Sequence, residues 1–220
     1  MRRLLTTLLL MTACATTTGA KKDRDVDTVG RAFHSTVALE FANGRVFCSG
    51  VIIDHQVVTA DHCTTHGRAI FVRTVYGRWE AALAARDHTN DVAVLLPVDG
   101  HILPKGASLA RRAPGFADDI WVIGHALGEY DYTVTKGIVS HPRREDGIFG
   151  GLWIQHDAGT LGGNSGGPVL NKHGHVVGIT SFGRMEEVWC PFIPCSGVYQ
   201  DTHIAGAVHH EAIRNILLPM

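Results

Sequence analysis

The sequence lacks a surplus of charge of either sign: 20 Lys and Arg stand against 21 Asp and Glu in 220 residues, a net charge of −1. No block of like charge occurs. That balance excludes the electrostatic footprint of a nucleic-acid binder and a charged interaction tail. No apolar run is long enough to cross a bilayer as a helix. The cysteines lack the CxxC pairing of a zinc site, so no metal or other cofactor is expected. Internal repeats are absent, and helical periodicity is absent until the last twenty or so residues. What remains, with 45% hydrophobic residues, is an ordinary soluble globular composition with enough chain for a sizeable core. Fourteen histidines are its one excess. As free imidazoles they would make the protein cationic below about pH 6.5.

The N-terminus is read as targeting rather than fold. MRRLLTTLLLMTAC has two arginines, a short apolar stretch and small residues ending at Cys14, the layout of a secretory signal. The ending MTAC is similar to a bacterial lipobox, with Met11 where leucine is usual. That resemblance implies cleavage before Cys14 and acylation of its thiol; plain secretion is the alternative. Five cysteines is an odd number for an exported chain. Giving Cys14 to lipid leaves Cys48, Cys63, Cys190 and Cys195, which can form two bridges with three possible connectivities. Residues 14–31, small and polar, read as a tether from the lipid to the domain.

From Ala32 the chain is a succession of short strand-like runs: STVALEF, RVFCSGVII, QVVTA, AIFVRTVY and DVAVLLP, then DIWVIGHAL, YTVTKGIVS, GLWIQHD, GPVLN, HVVGITSF and SGVYQD. Each is rich in β-branched residues and bounded by Gly, Asn, Asp or Pro. The stretch from about Pro97 to Pro114 reads as the connection between two halves. Ile204, Val208, Ala212, Ile213, Ile216 and Leu217 form an apolar stripe at helical spacing, which predicts a helix over 203–218. The pattern is an all-β protein closed by a C-terminal helix, with halves at 32–110 and 111–202 after a signal peptide at 1–13.

One run asks for a chemical reason. LGGNSGGPVL, residues 161–170, surrounds a single serine with four glycines, and glycine inside strand-forming sequence marks a bulge or a close backbone approach. A nucleophilic Ser165 on a tight loop, with backbone N–H groups aimed at an oxyanion, accounts for the whole run; a plain Gly-rich turn accounts only for the glycines. A serine hydroxyl needs a base, and the base needs a carboxylate to fix its tautomer. QVVTADHC places His62 after an apolar strand and beside a cysteine. NDVAVLLP places Asp91 at the start of another apolar strand, where a turn-forming aspartate is the competing role. Asp61 and Asp87 are rivals, Asp61 disfavoured because adjacent side chains diverge on extended backbone. His173 and His175 in HGH sit in a turn and read as solvated rather than metal-binding.

These segments resemble the trypsin-like serine proteases. TADHC is similar to their TAAHC, DVAVL to DIALL and GNSGGP to GDSGGP, in the family's order His62, Asp91, Ser165. CSGVII, ITSFG and CSGVY resemble further family segments, so the likeness runs from about Val37 to the C-terminal helix. The 29-residue interval between His62 and Asp91 resembles that of compact bacterial members, including the HtrA and glutamyl endopeptidase types.

The resemblance implies a chymotrypsin-like fold of two six-stranded antiparallel β-barrels with the cleft between them. It implies a Ser165 nucleophile, a His62 base oriented by Asp91, and an oxyanion hole from the N–H groups of Gly163 and Ser165. It also implies the bridges Cys48–Cys63 and Cys190–Cys195, and a specificity pocket of Gly159, Thr160, Ser181, Gly183 and Gly197. No acid falls at that pocket's base, and Thr180 stands where glutamyl endopeptidases carry histidine, so a medium or large apolar side chain is expected there. Asn164 replaces the family's aspartate and no IVGG-like start is present, so activation by a new N-terminus is not expected. No residues remain for a PDZ domain after the helix. The expected partner is a polypeptide substrate, with membrane contact only through Cys14, no nucleic acid, and a monomeric state. A non-catalytic binding lipoprotein on the same fold is the alternative.

Overall fold

In the computed structural model, residues 28–30, 32–145, 151–187 and 199–219 are described. Twelve strands form two closed barrels. β1 (Thr36–Glu40), β2 (Val46–Ile53), β3 (Gln56–Thr59), β4 (Ile70–Thr74), β5 (Gly77–Asp87) and β6 (Val92–Pro97) close in the order β1-β2-β3-β6-β5-β4. β7 (Asp119–Ala126), β8 (Tyr130–Arg144), β9 (Trp153–His156), β10 (Pro168–Asn171), β11 (Val176–Glu187) and β12 (Tyr199–His209) close as β7-β8-β9-β12-β11-β10. The second order is the first with every strand advanced by six, so the architecture is an internal repeat. Neighbouring strands pair antiparallel throughout.

Three apolar layers hold this together. Val37, Leu39, Ile52, Val72 and Leu95 fill the first barrel, and Ile120, Val122, Ile154, Val169 and Val177 the second. The third layer joins them: Val51, Ile53 and Val92 of the first barrel pack with Trp121, Ile123, Leu170 and Ile179 of the second and with Ile213 of the terminal helix. Each such fully buried aliphatic side chain is worth about 1.5–3 kcal/mol relative to exposure. The relative position of the barrels, and hence of any site between them, is therefore set by packing. The connection from β6 to β7 is pinned where Gly106, at φ +78°, lies against the carbonyl of Ile52.

Two expectations need correction. The terminal helix is His210–Ile216 only; Ile204 and Val208 belong to β12. Ala205–Val208 pair with β9 and with β11, and two ladders of backbone hydrogen bonds outweigh a short apolar periodicity. The helix begins only where that pairing ends, at His210. The second difference is β5, whose sequence GRWEAALAARD carried no strand signal. Alanine and charged residues are poor strand formers, and most of the strand is exposed, so its place is fixed by pairing with β4 and β6.

Candidate active site

The sequence-predicted residues converge from both barrels. His62 lies in the 3-10 turn Asp61–Thr64 that follows β3. The turn is closed by the Cys63 N–H donating to Ala60 (3.1 Å) and by the Thr64 hydroxyl donating to the Asp61 carbonyl (2.8 Å). A disulfide joins Cys63 to Cys48 on β2, stapling the turn to the barrel wall.

Asp91 precedes β6 at φ 52°, a left-handed conformation that aspartate tolerates better than most residues. Its carboxylate is buried and saturated with donors. Oδ1 accepts the His62 backbone N–H at 2.9 Å, Oδ2 faces His62 Nδ1 at 2.9 Å, and Oδ2 also accepts the Ser181 hydroxyl. A ring nitrogen facing a carboxylate must carry the proton, so neutral His62 is the Nδ1–H tautomer, with its basic lone pair on Nε2. Asp61 is turned elsewhere: fully buried, it accepts from Arg86 (2.7 Å) and pairs with His88 Nδ1 (2.9 Å). Burial alone would raise its carboxyl, but Arg86 and His88 outweigh burial and hold it below the usual range. Asp87 caps the turn before Asp91 by accepting the Asn90 N–H at 3.1 Å.

Ser165 is half-buried on the loop between β9 and β10. Its carbonyl accepts the Ser49 N–H at 2.8 Å and lies 3.9 Å from Cys63 Sγ, so the loop abuts the disulfide next to His62. A trans peptide is planar, so anchoring a carbonyl also aims the N–H of the following residue the opposite way. The Gly162 carbonyl accepts the Leu127 N–H (2.5 Å), which sets the Gly163 N–H. The Asn164 carbonyl accepts the Gly167 N–H (2.9 Å), which sets the Ser165 N–H. Among the described residues neither the Gly163 nor the Ser165 N–H has an acceptor. The glycines are steric necessities here. A side chain at Gly163 (φ +94°) would meet the His125 carbonyl at 2.2 Å, and one at Gly166 (φ +83°) would meet the Ser49 carbonyl at 2.2 Å.

A recess of about 230 Å³ is lined by Ser165 and Ser181 together with Thr160, Leu161, Gly162, Thr180, Phe182 and Gly183. Gly183 is packed so tightly that a Cβ would reach Thr160 Oγ1 at 2.5 Å. The lining carries no charge among the described residues. Gly159 is outside it: its carbonyl accepts from Thr135 Oγ1 at 2.8 Å, tying this segment to β8. Ser181 both borders the recess and donates to Asp91, a second role its sequence position did not reveal. Gly197, the cysteines 190 and 195, and Cys14 lie outside the described residues. Ser49 was also missed, because its neighbours in CSGVII read as an unremarkable strand.

Two groups among the described residues have metal-ligand proximity. One is Cys48, His62 and Cys63, whose sulfurs are joined as a disulfide; the other is His209, His210 and Glu211, whose carboxylate is held by Arg143 at 2.7 Å. Neither offers an uncommitted donor set.

Comparison with known proteins gives a consistent result. Residues 48–179 match the model of the trypsin-like peptidase domain. Among curated proteins, the chain is 33% identical over 145 residues to Protease Do-like 2, chloroplastic, of Arabidopsis thaliana, covering 63% of this chain and 23% of that protein. It is 38% identical over 139 residues to a probable periplasmic serine endoprotease DegP-like of Pseudomonas putida, covering 60% of this chain and 28% of the other. It is 35% identical over 144 residues to serine endoprotease DegS of Escherichia coli, covering 62% and 40%. The chain thus spans less than half the length of each of these relatives.

Proposed function

The chain belongs to the trypsin-like peptidase domain family, and on that premise we propose that it is an exported serine endopeptidase acting through Ser165, His62 and Asp91. The observation that carries this reading is the buried Asp91 carboxylate holding both the backbone and the Nδ1–H of His62, which leaves Nε2 as the base. In the proposed reaction Ser165 Oγ attacks a peptide carbonyl as His62 Nε2 takes its proton. Asp91 stabilises the resulting imidazolium, and the Gly163 and Ser165 N–H groups receive the oxyanion. His62 then protonates the leaving amine, the acyl-enzyme forms on Ser165, and water activated by His62 hydrolyses it. One oxyanion donor typically contributes about 3 kcal/mol to the transition state. No step uses a metal or cofactor.

The recess beside Ser165 supports selection of an uncharged residue before the cleaved bond. Its described walls offer hydroxyls, an aromatic edge and glycines but no partner for a cation or carboxylate, and about 230 Å³ suits a medium-sized apolar side chain. Export is supported by the leader-like residues 1–13 and by the Cys48–Cys63 disulfide, which persists in an oxidising compartment. Relatives described as periplasmic are in keeping with it. No helix among the described residues is long and apolar enough to cross a membrane. We assign membrane attachment to lipid on Cys14, with a monomeric peptidase unit beyond a tether that ends before Thr28 rather than at residue 31, because Thr28 is buried with its hydroxyl donating to the Lys172 carbonyl at 3.0 Å and Val29 packs on the core.

The test is labelling of the oxidised domain with a fluorophosphonate, with the adduct located by mass spectrometry. A stoichiometric adduct on Ser165, absent in Ser165→Ala, is expected. Asp91→Asn is expected to lower kcat about 10⁴-fold with the fold intact, because His62 is then held in the wrong tautomer. Folded, oxidised protein that forms no adduct would refute the reading and leave a non-catalytic binding lipoprotein on this fold.

A further inference from the structure

The loop that carries Ser165 is held from the first barrel by one side chain, and the proton arrangement around that side chain has a single solution. Ser49 Oγ is buried and has three partners: the Gly163 carbonyl at 2.8 Å, the His125 backbone N–H at 2.9 Å, and His125 Nδ1 at 3.0 Å. The carbonyl can only accept and the backbone N–H can only donate. The hydroxyl has one proton and two lone pairs. Its proton therefore goes to Gly163, one lone pair takes the His125 N–H, and the other is left for Nδ1. For every contact to be satisfied, His125 must be the Nδ1–H tautomer. In the other tautomer Nδ1 would compete for the hydroxyl proton, and the Gly163 carbonyl would lose its donor.

The surroundings of His125 give this choice consequences. The ring is completely buried, and burial pushes its basicity down to about 4, so it is neutral at ordinary pH and one tautomer must be chosen. Nε2 has no hydrogen-bond partner among the described residues and lies 3.8 Å from Asp131 Oδ1. That carboxylate draws a proton toward Nε2 and so opposes the Ser49 contact. Arg73 restrains it, donating to both Asp131 oxygens at 3.1 and 2.7 Å while also pairing with the buried Glu40. Arg78 donates to the other Glu40 oxygen at 2.8 Å, and the Tyr132 ring packs on His125 at 4.9 Å between centroids. A charge network that runs from Glu40, Arg73 and Arg78 of the first barrel to Asp131 on β8 of the second thus ends on the imidazole that decides where the Ser49 proton points.

We infer that Ser49 and His125 are positioning residues for the oxyanion-binding loop. Through the Nδ1–H tautomer of His125, the Ser49 hydroxyl fixes the Gly163 carbonyl while the Ser49 backbone N–H fixes that of Ser165. The inference rests on the peptidase reading, because its purpose is to hold the peptides that follow Gly163 and Ser165 before substrate arrives, so that each oxyanion-binding residue, its own N–H aimed by the Gly162 or Asn164 carbonyl, is clamped on both sides. Neither residue touches the reacting atoms. Removing the hydroxyl should therefore weaken transition-state stabilisation with little effect on substrate binding.

The test has two independent arms. In Ser165→Ala protein, the imidazole nitrogen chemical shifts of His125 should show a protonated Nδ1 and a bare Nε2 near neutral pH; a protonated Nε2 would overturn the inference whatever the activity. In the active protein, Ser49→Ala should lower kcat about tenfold or more with KM nearly unchanged, the loss of one buried hydrogen bond made effective in the transition state. His125→Phe should act in the same direction. His125→Asn, whose amide N–H stands near the Nδ1 position, should recover much of that loss. Equal kcat in Ser49→Ala and the parent, or a Phe and Asn pair that behave alike, would overturn it. If parent protein forms no Ser165 adduct, the peptidase reading fails while the tautomer measurement still decides the geometry. A Ser49→Ala chain that does not fold shifts the activity decision to the His125 pair.

Discussion

Mild acid should destabilise this protein by a route the structure makes quantitative. His125, His156 and His209 are completely buried, and burial is the main cause that lowers each from 6.5 to about 4; for His209 the neighbouring His210 adds to it. At His156 both ring nitrogens lack partners among the described residues. The unfolded chain takes up protons at these sites as pH falls through 6.5, whereas the folded chain refuses them until about 4. Stability is therefore full above pH 6.5, falls between 6.5 and 4, and stops falling from this cause below 4. Each site costs at most about 1.4 kcal/mol per pH unit, so at pH 5 each contributes a loss of about 2 kcal/mol and the three together about 6 kcal/mol. Set against a typical total of about 5–15 kcal/mol, that removes between roughly two fifths and all of the stability by pH 5. Asp61, held below the carboxylate range, weakens the fold only in a separate and lower window, below about pH 4. The assay is urea denaturation followed by far-UV circular dichroism at pH 7.5, 6.5, 5.5 and 5.0. His156→Leu, which removes one proton uptake, should retain about 2 kcal/mol more of its neutral-pH stability at pH 5 than the parent does. Equal unfolding free energies at pH 7.5 and 5.0, or a variant with the parent's pH dependence, would refute the reasoning.

Further outcomes follow from the same geometry. Reducing Cys48–Cys63, or replacing both cysteines with alanine, opens a link across a sequence separation of 15 residues and should lower stability by about 3 kcal/mol, read as a shift in urea midpoint. Because the link staples the turn that bears His62, fluorophosphonate labelling should slow under conditions where the protein remains folded. Gly166→Ala places a Cβ 2.2 Å from both the Ser49 carbonyl and Thr59 Oγ1 on a left-handed backbone. It should lose more than about 1 kcal/mol of stability, and adduct formation should fall sharply. Wild-type stability and labelling rate in that variant would show that the loop adapts.

Local sequence determined the strands whose β-branched runs are buried, such as Val51–Ile53 and Val92–Leu95, because burial selects those side chains wherever the barrel later places them. It also marked the glycine-rich loop around Ser165, since a crowded loop at positive φ leaves few alternatives to glycine. Other features depended on contacts distant along the chain. β5 has no strand signature because its partners, not its own residues, hold it. Val208 sits in a strand despite helical spacing because β9 and β11 satisfy its backbone. The repeat between the barrels is invisible in the residues, because what recurs is strand order, which many side chains can satisfy. The pairing of Asp91 with His62 and the diversion of Asp61 to Arg86 depend on how the first barrel closes, and the contact of Ser49 with Gly163 across 114 positions on how the two barrels pack along one apolar layer. Sequence alone supplied the chemical groups. Their distances and proton positions came from that packing, because a hydrogen bond is decided by tenths of an ångström that only the folded chain defines.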